Sequence, residues 1–450
     1  MTGRICGTGS CLPKEVWDND RLSQMVDTSD EWIRERTGIR QRHIATGEET
    51  TVSLAVGAAR AALEDAGISA EEIDLLMVAT VSPDEFFPTT SCRVQDAIGA
   101  VNATCFDLNA ACTGFIFALN TAQAYISQGI YRTALIIGAE RLSNLTNWED
   151  RTTCILFGDG AGAAVVRAQD EAADASADAA CGSNSKSAFD GENARERSDG
   201  VAGERNGNST CGMDGTRVGN SICGVDGTRG GNSTCGMAGA NVSPGRYAQV
   251  THSVGAKGDA LTCVSRNQAK YAGVDAPETY LQMDGRAVFK FAVSKVPAVI
   301  LELAEKEKID LAEVKYFVLH QANERIIQGI RKKLKPEILH LAEGHLREEH
   351  LREKDRPENQ TEQEDEKKPD VSVNKAQAQE NVREEKTPES EEEYEARFPV
   401  NIHDTGNTSS ASIPILLDQL NKEGKLQRGD KLILAGFGAG LSYGASYMVW

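Results

Sequence analysis

The chain has no apolar run close to the roughly 20 residues that cross a bilayer as a helix, so a membrane span is not expected. Its start, MTGRICGTGSCLPKEV, lacks an apolar core of signal-peptide length, which argues against export and for a cytoplasmic protein. The 11 cysteines are odd in number and contain no CxxC pair. They read as free thiols rather than as a disulfide framework. Lys and Arg, 48 in all, are outnumbered by 67 Asp and Glu, and the net charge of −19 argues against general nucleic-acid affinity. There is no GxxxxGK(S/T) phosphate loop. No GxG piece opens a helix within a βαβ unit, so a dinucleotide cofactor is not expected either. What remains is 450 residues, 40% of them hydrophobic, enough for two ordinary domains or one large duplicated one.

Two stretches stand apart in composition. Residues 335–398 hold 20 Asp and Glu against 11 Lys and Arg, about half of the net charge of the whole chain. With almost no aromatic before Tyr394, residues 336–398 cannot bury enough apolar surface to offset chain entropy, and a solvated, disordered insertion is expected. His340, His345 and His350 recur every five residues, about 140° apart on a helix, and so share no metal-binding face. Residues 170–244 carry a twelve-residue repeat in three copies, beginning GNSTCGMDGTRV at Gly207, and read as a second surface insertion.

The three other stretches, 1–169, 245–335 and 399–450, alternate strand-like and helix-like segments. IDLLMVATVS, TALIIGAE and VKYFVLH are continuous apolar runs suited to strands buried on both faces. VSLAVGAARAALEDAG has helical spacing and stops at Gly67. Such alternation implies a layered α/β fold. ALIIGAE followed by ILFGDGAGAAVVR is echoed by KLILAGFGAGLSYGASYMVW at the C-terminus, a sign of two similar halves.

Three residues carry chemistry. Cys112, in FDLNAACTGFIFALN, lies where an extended piece meets a helix, and the positive end of the helix dipole is expected to lower its pKa. His320, in FVLHQANERII, ends a buried strand, where ligands meet α/β sheets. Asn407, in HDTGNTSSASIP, follows a glycine that permits an unusual backbone angle. Taken singly, each also reads as structural: a buried thiol, a satisfied core histidine, a loop asparagine.

Taken together, and in this order, ACTGF, HQANERI and GNTSSASIP resemble the β-ketoacyl-acyl-carrier-protein synthase III family of condensing enzymes. FGDGAGA, FGAGLSYGA, DEWIRERTGI and MDGRAVFKFAV extend the match. The resemblance implies the thiolase fold, two α/β halves in five layers, and a homodimer. It implies decarboxylative condensation of an acyl-CoA starter with malonyl-acyl-carrier protein, with no bound cofactor or metal. By the same resemblance Cys112 is the nucleophile and His320 and Asn407 complete the site. The backbone N–H groups of Cys112 and Ala439 form the oxyanion hole, although glycine is usual at the latter position. Thr28, Trp32, Arg36 and Arg151 hold CoA, and Phe87 reaches the partner's acyl pocket. The densest basic run, Arg325, Arg331, Lys332 and Lys333, is expected to receive the acidic carrier. A condensing enzyme of polyketide or quinolone metabolism and a non-catalytic scaffold of the same fold are the alternatives.

Overall fold

The uninterrupted apolar runs fold as strands with both faces covered. The computed structural model describes residues 1–169, 247–264, 279–339 and 390–450. In chain order the first half contains β1 (Thr2–Cys11), β2 (Glu15–Asp18), α1 (Asn19–Ser23), α2 (Asp30–Thr37), β3 (Gln41–Ile44), α3 (Thr51–Ala66), β4 (Leu75–Ala79), α4 (Thr90–Ile98), β5 (Thr104–Leu108), α5 (Gly114–Ser127), β6 (Thr133–Glu140) and β7 (Gly160–Gln169). The second contains β8 (Tyr247–Ser253), β9 (Leu261–Thr262), β10 (Gln282–Met283), α6 (Gly285–Glu307), β11 (Tyr316–Leu319), α7 (Glu324–Ile338), α8 (Glu391–Ala396), α9 (Ile402–Thr405), α10 (Ser412–Lys422), β12 (Lys431–Gly438) and β13 (Ser442–Val449).

The duplication read from the two Gly-rich hairpins extends to whole sheets. One sheet has the order β1-β7-β6-β4-β5, the other β8-β13-β12-β11. In the first, β4 runs parallel to β6, β6 antiparallel to β7, and β7 antiparallel to β1. In the second, β11, β12, β13 and β8 repeat the same senses. Only β5, at the open edge of the first sheet, has no counterpart among the described strands.

Alternation along the strands then builds the layers. Leu75 and Met77 of β4 and Leu432 and Leu434 of β12 turn inward onto α5 and α10, forming one central core. Leu76 and Val78 turn the other way, onto α3. Ile433 and Ala435 turn onto α6 and α7. The result is helix, sheet, helix, sheet, helix. α3 begins at a capping box between Thr50 and Ser53 and ends at Gly67, φ 64°. Arg42, fully buried, ties β3 to the rest through Trp17 O, Asn19 Oδ1 and Ile155 O, and burial pulls its pKa down to about 10.

Both described ends of the acidic stretch, 336–339 and 390–398, are folded against the second half. α7 continues through Pro336 to Ile338, because Ile330, Leu334 and Ile338, spaced by four, are all buried. At the other end Phe398 stacks on Phe317 at 4.8 Å, and the hydroxyl of buried Tyr394 donates to Arg331 O at 2.5 Å. The two aromatics near the end of the stretch supply the apolar surface that the rest of it lacks. The twelve-residue repeat and His340, His345 and His350 lie outside the described residues. Among the described residues no helix is long and apolar enough to cross a membrane, and no cluster of His, Cys, Asp or Glu is suited to a metal ion.

Candidate active site

Strand β12 gathers the chemistry. Gly436 and Gly438 are two residues apart and so face the same way, separated by roughly 7 Å. A Cβ on Gly436 would lie 3.2 Å from the Cβ of His320; one on Gly438 would lie 2.8 Å from the backbone nitrogen of Cys112. Gly438 admits the backbone of the Cys112 turn and Gly436 leaves room for the His320 side chain, so one face of β12 adjoins both residues.

Cys112 sits in a 3₁₀ turn, Ala111–Thr113, at the mouth of α5. Ala111 holds a left-handed φ of 46°. The Thr113 hydroxyl spans the gap between Ala110 O, 2.6 Å, and Ser442 Oγ, 2.8 Å. The expected lowering of the thiol pKa does not hold in the ligand-free site. Burial pushes it up to about 12. The dipole of one short helix does not overcome removal of sulfur from water.

His320 follows β11. Its N–H donates to Ala435 O of β12 at 2.9 Å, fixing the backbone. Its Nδ1 lies 2.7 Å from Ser412 Oγ, while Nε2 is buried with no hydrogen-bond partner among the described residues. Burial pulls its pKa down to about 3, so the ring is neutral. Gln321 N–H also points to Ser412 Oγ, at 3.4 Å. A Ser412 hydroxyl that accepts from Gln321 and donates to Nδ1 suits the tautomer with the ring proton on Nε2.

Asn407 is held by its backbone between Leu156 O, 2.8 Å, and Gly158 N, 3.1 Å, within FGDGAGA. Gly406, φ 64°, passes so close that a Cβ would meet Leu156 O at 3.2 Å. Asn407 Oδ1 accepts from Ser409 N at 2.9 Å. Its amide nitrogen makes no hydrogen bond among the described residues. Sequence reasoning missed Ser409, Ser412 and Glu140. The Ser/Thr-rich SSAS following Asn407 was the available signal, but it read as a helix start.

Ala439 adjoins the glycine that packs on Cys112. The left-handed angle of that turn is carried by its neighbour Gly440, φ 137°, which leaves an L-residue free to occupy position 439. Trp32 and Arg36 lie on α2, and the guanidinium of Arg36 stands 4.2 Å from the Trp32 ring. Arg151 stands 5.1 Å from the same ring and donates to Asp27 O at 2.8 Å. Thr28 Oγ1 is buried without a hydrogen-bond partner among the described residues. Phe87 is 85% exposed, next to Phe86, rather than part of a core. Of the basic residues on α7, Arg325, Lys332 and Lys333 are exposed. Arg331 instead pairs with Glu395 of α8 at 2.5 Å.

The description 3-oxoacyl-[acyl-carrier-protein] synthase III matches residues 106–185, and its C-terminal counterpart matches 376–450. A beta-ketoacyl-[acyl-carrier-protein] synthase III of Clostridium botulinum (strain Loch Maree / Type A3) is 35% identical over 99% of this chain and 98% of its own. The chain belongs to the β-ketoacyl-acyl-carrier-protein synthase III family. A homologue from Clostridium novyi is 34% identical over the same shares. The 3-oxoacyl-[acyl-carrier-protein] synthase III structure from Aquifex aeolicus matches all of both chains at 31% identity, TM-score 0.66. The priming beta-ketosynthase of the R1128 polyketide pathway matches at 27% identity, TM-score 0.66, over all of this chain and 96% of its own. The fold is the thiolase fold, and the protein is an acyl-transferring condensing enzyme that joins an acyl-CoA starter to malonyl-acyl-carrier protein at the start of fatty-acid synthesis.

Proposed function

We propose that Cys112 carries the acyl group and that His320 and Asn407 stabilise the enolate formed from malonyl-carrier. The observation behind this is a pair of vacant donors. Among the described residues His320 Nε2 is buried without a hydrogen-bond partner and Asn407 Nδ2 makes no hydrogen bond, while Ser412 meets Nδ1 of the one and Ser409 N–H donates to Oδ1 of the other. Two neutral donors fixed in this way suit an oxygen that gains charge late in the reaction.

Sulfur attacks the acyl-CoA thioester carbon. The C–S bond to CoA breaks, and the thiol proton leaves with the CoA sulfur. The N–H groups of Cys112 and Ala439 receive the intermediate oxyanion. Malonyl-carrier then places its thioester oxygen between His320 and Asn407. Loss of CO2 leaves the bonding pair as an enolate, whose carbon attacks the acyl-cysteine to give the 3-ketoacyl product and restore sulfur. No step calls for a bound cofactor or metal.

Trp32 with the guanidinium groups of Arg36 and Arg151, and Thr28, would hold the nucleotide end of CoA by stacking and phosphate pairing. Arg325, Lys332 and Lys333, with Arg331 once released from Glu395, would receive the acidic carrier. The open edge of β5 and the exposed Phe86 and Phe87 favour a homodimer in which Phe87 enters the partner's acyl pocket. The enzyme would work in the cytoplasm.

Mass spectrometry after exposure to acetyl-CoA tests the first step, and release of labelled CO2 from malonyl-carrier tests the second. His320→Ala and Asn407→Ala should retain the acyl group on Cys112 and lose decarboxylation by about 100-fold or more. Loss of acylation with decarboxylation intact would reverse the assignment.

A further inference from the structure

Glu140, the last residue of β6, is fully buried, and the interactions acting on it are hydrogen bonds, with no cation among them. Its Oε2 accepts from Ser82 Oγ at 2.6 Å, Val81 N at 3.1 Å and Thr80 Oγ1 at 3.3 Å. Its Oε1 lies 2.9 Å from Ser410 Oγ. That same hydroxyl lies 2.8 Å from Ala79 O, a carbonyl that can only accept. A serine hydroxyl has one proton. With that proton committed to Ala79, the contact between Ser410 and Glu140 has none unless the carboxyl supplies it.

We propose that Glu140 is a neutral carboxylic acid that donates from Oε1 to Ser410 Oγ. It is a positioning residue: its proton fastens the Ser409–Ala411 turn, and with it Asn407, to the half of the molecule that carries Cys112. Ser409 N–H donates to Asn407 Oδ1 at 2.9 Å, so the turn that Ser410 anchors also holds the Asn407 side chain. An ionised Glu140 would place an unpaired negative charge beside a sulfur that must itself become anionic, and close to the enolate. A neutral acid keeps the lock without the charge.

The surroundings agree. Burial raises the carboxyl pKa. Thr80, Val81 and Ser82, and Ser409 and Ser410, present only neutral hydroxyl and amide groups. Cys112 is the titratable group facing from the Ala111–Thr113 turn. Arg141, next along the chain, acts on Asp159 and Glu49, and its guanidinium reaches Ala45 O at 3.4 Å.

Two measurements on the full-length protein test the proposal, and neither requires acyl transfer. The proposal leans on the assignment of Cys112 as nucleophile only for its consequence, so failure of that assignment would be seen separately. Infrared spectra at neutral pH, with and without heavy-carbon glutamate, should show the C=O stretch of a protonated glutamic acid. Ser410→Ala should displace it; no such band, or a band that Ser410→Ala leaves in place, overturns the proposal. Cys112 alkylation by iodoacetamide, followed by peptide mass spectrometry across pH, gives the thiol midpoint. In Glu140→Gln this midpoint should stay within about 0.3 of wild type, since no charge has been removed. A fall of about one unit or more would mean that wild type carries a charge there, and would overturn the proposal. Should Glu140→Gln fail to fold, the infrared experiment on wild type and Ser410→Ala decides alone.

Discussion

Ala111 and Ser409 are counterparts. Each opens a 3₁₀ turn, each holds a left-handed backbone with φ of 46° and 49°, and each turn leads into a central helix, α5 or α10, that is followed by a β-hairpin. Cys112 and Ser410 therefore occupy equivalent positions in the two halves. In the first half this position is the thiol proposed as nucleophile; in the second it is a hydroxyl 2.9 Å from Glu140 Oε1.

The left-handed angle at Ala111 costs an L-residue roughly 1–2 kcal/mol. Ala111→Gly removes that cost but gains unfolded-state entropy, so its stability should change by less than about 1 kcal/mol. Ala111→Val cannot adopt the angle and should destabilise by about 2 kcal/mol or more, with loss of acylation. Urea midpoints check both; a well-tolerated valine would show that the turn is not constrained.

Gly436 packs against His320 and Gly438 against Cys112, so substitutions at the two can separate the proposed half-reactions. A methyl on Gly438 would press on the nitrogen atoms of Cys112 and Thr113, at 2.8 and 3.0 Å. Gly438→Ala should slow acylation by about 100-fold or more, the usual loss when an oxyanion donor is displaced. A methyl on Gly436 meets the Cβ of His320 at 3.2 Å. Gly436→Ala should acylate normally and lose decarboxylation. Single-turnover acyl transfer and CO2 release, measured on both variants, would contradict this if the defects were exchanged.

Much of this architecture was legible in the sequence because burial on both faces leaves a plain mark. β6 spans the whole TALIIGAE run, and β4 is the five-residue centre, Leu75–Ala79, of the longer run IDLLMVATVS. Cys112, His320 and Asn407 were legible through long motifs. Glu140 was not, because a carboxylate at the end of an apolar strand looks the same in sequence whether it meets solvent or three hydroxyl groups. The partners of His320 and Asn407 were equally hidden. That Ser412 is the serine of SSAS that meets the His320 ring depends on packing between α10 and the end of β11, 92 residues apart in the chain. The raised thiol pKa was missed for a related reason: the helix start is local and visible, whereas burial is a property of the assembled core.

His320 should govern part of the acid sensitivity of the fold. Its pKa is about 3 in the folded protein against an ordinary value near 6.5. As pH falls through that window the unfolded chain takes up a proton that the folded one refuses, so stability is full above about 6.5 and is lost progressively towards 3. In His320→Gln this contribution is absent. The difference in Tm between wild type and variant should therefore grow more unfavourable to wild type as pH drops below about 6.5. A difference independent of pH would contradict a buried, neutral ring.

Glu391 and Glu395, at the edge of the acidic stretch, pair with Lys335 and Arg331 on the helix that carries the basic cluster. These pairs are half-exposed, so each contributes little to stability and is screened by salt. Their larger effect is on charge. Glu391→Gln together with Glu395→Gln frees two cations without altering α7. KM for malonyl-carrier should fall a few-fold at low ionic strength, with KM for acyl-CoA unchanged, and the gain should disappear as salt rises through about 0.5 M. An unchanged KM for the carrier at every salt concentration would mean that the carrier docks away from Arg331 and Lys335.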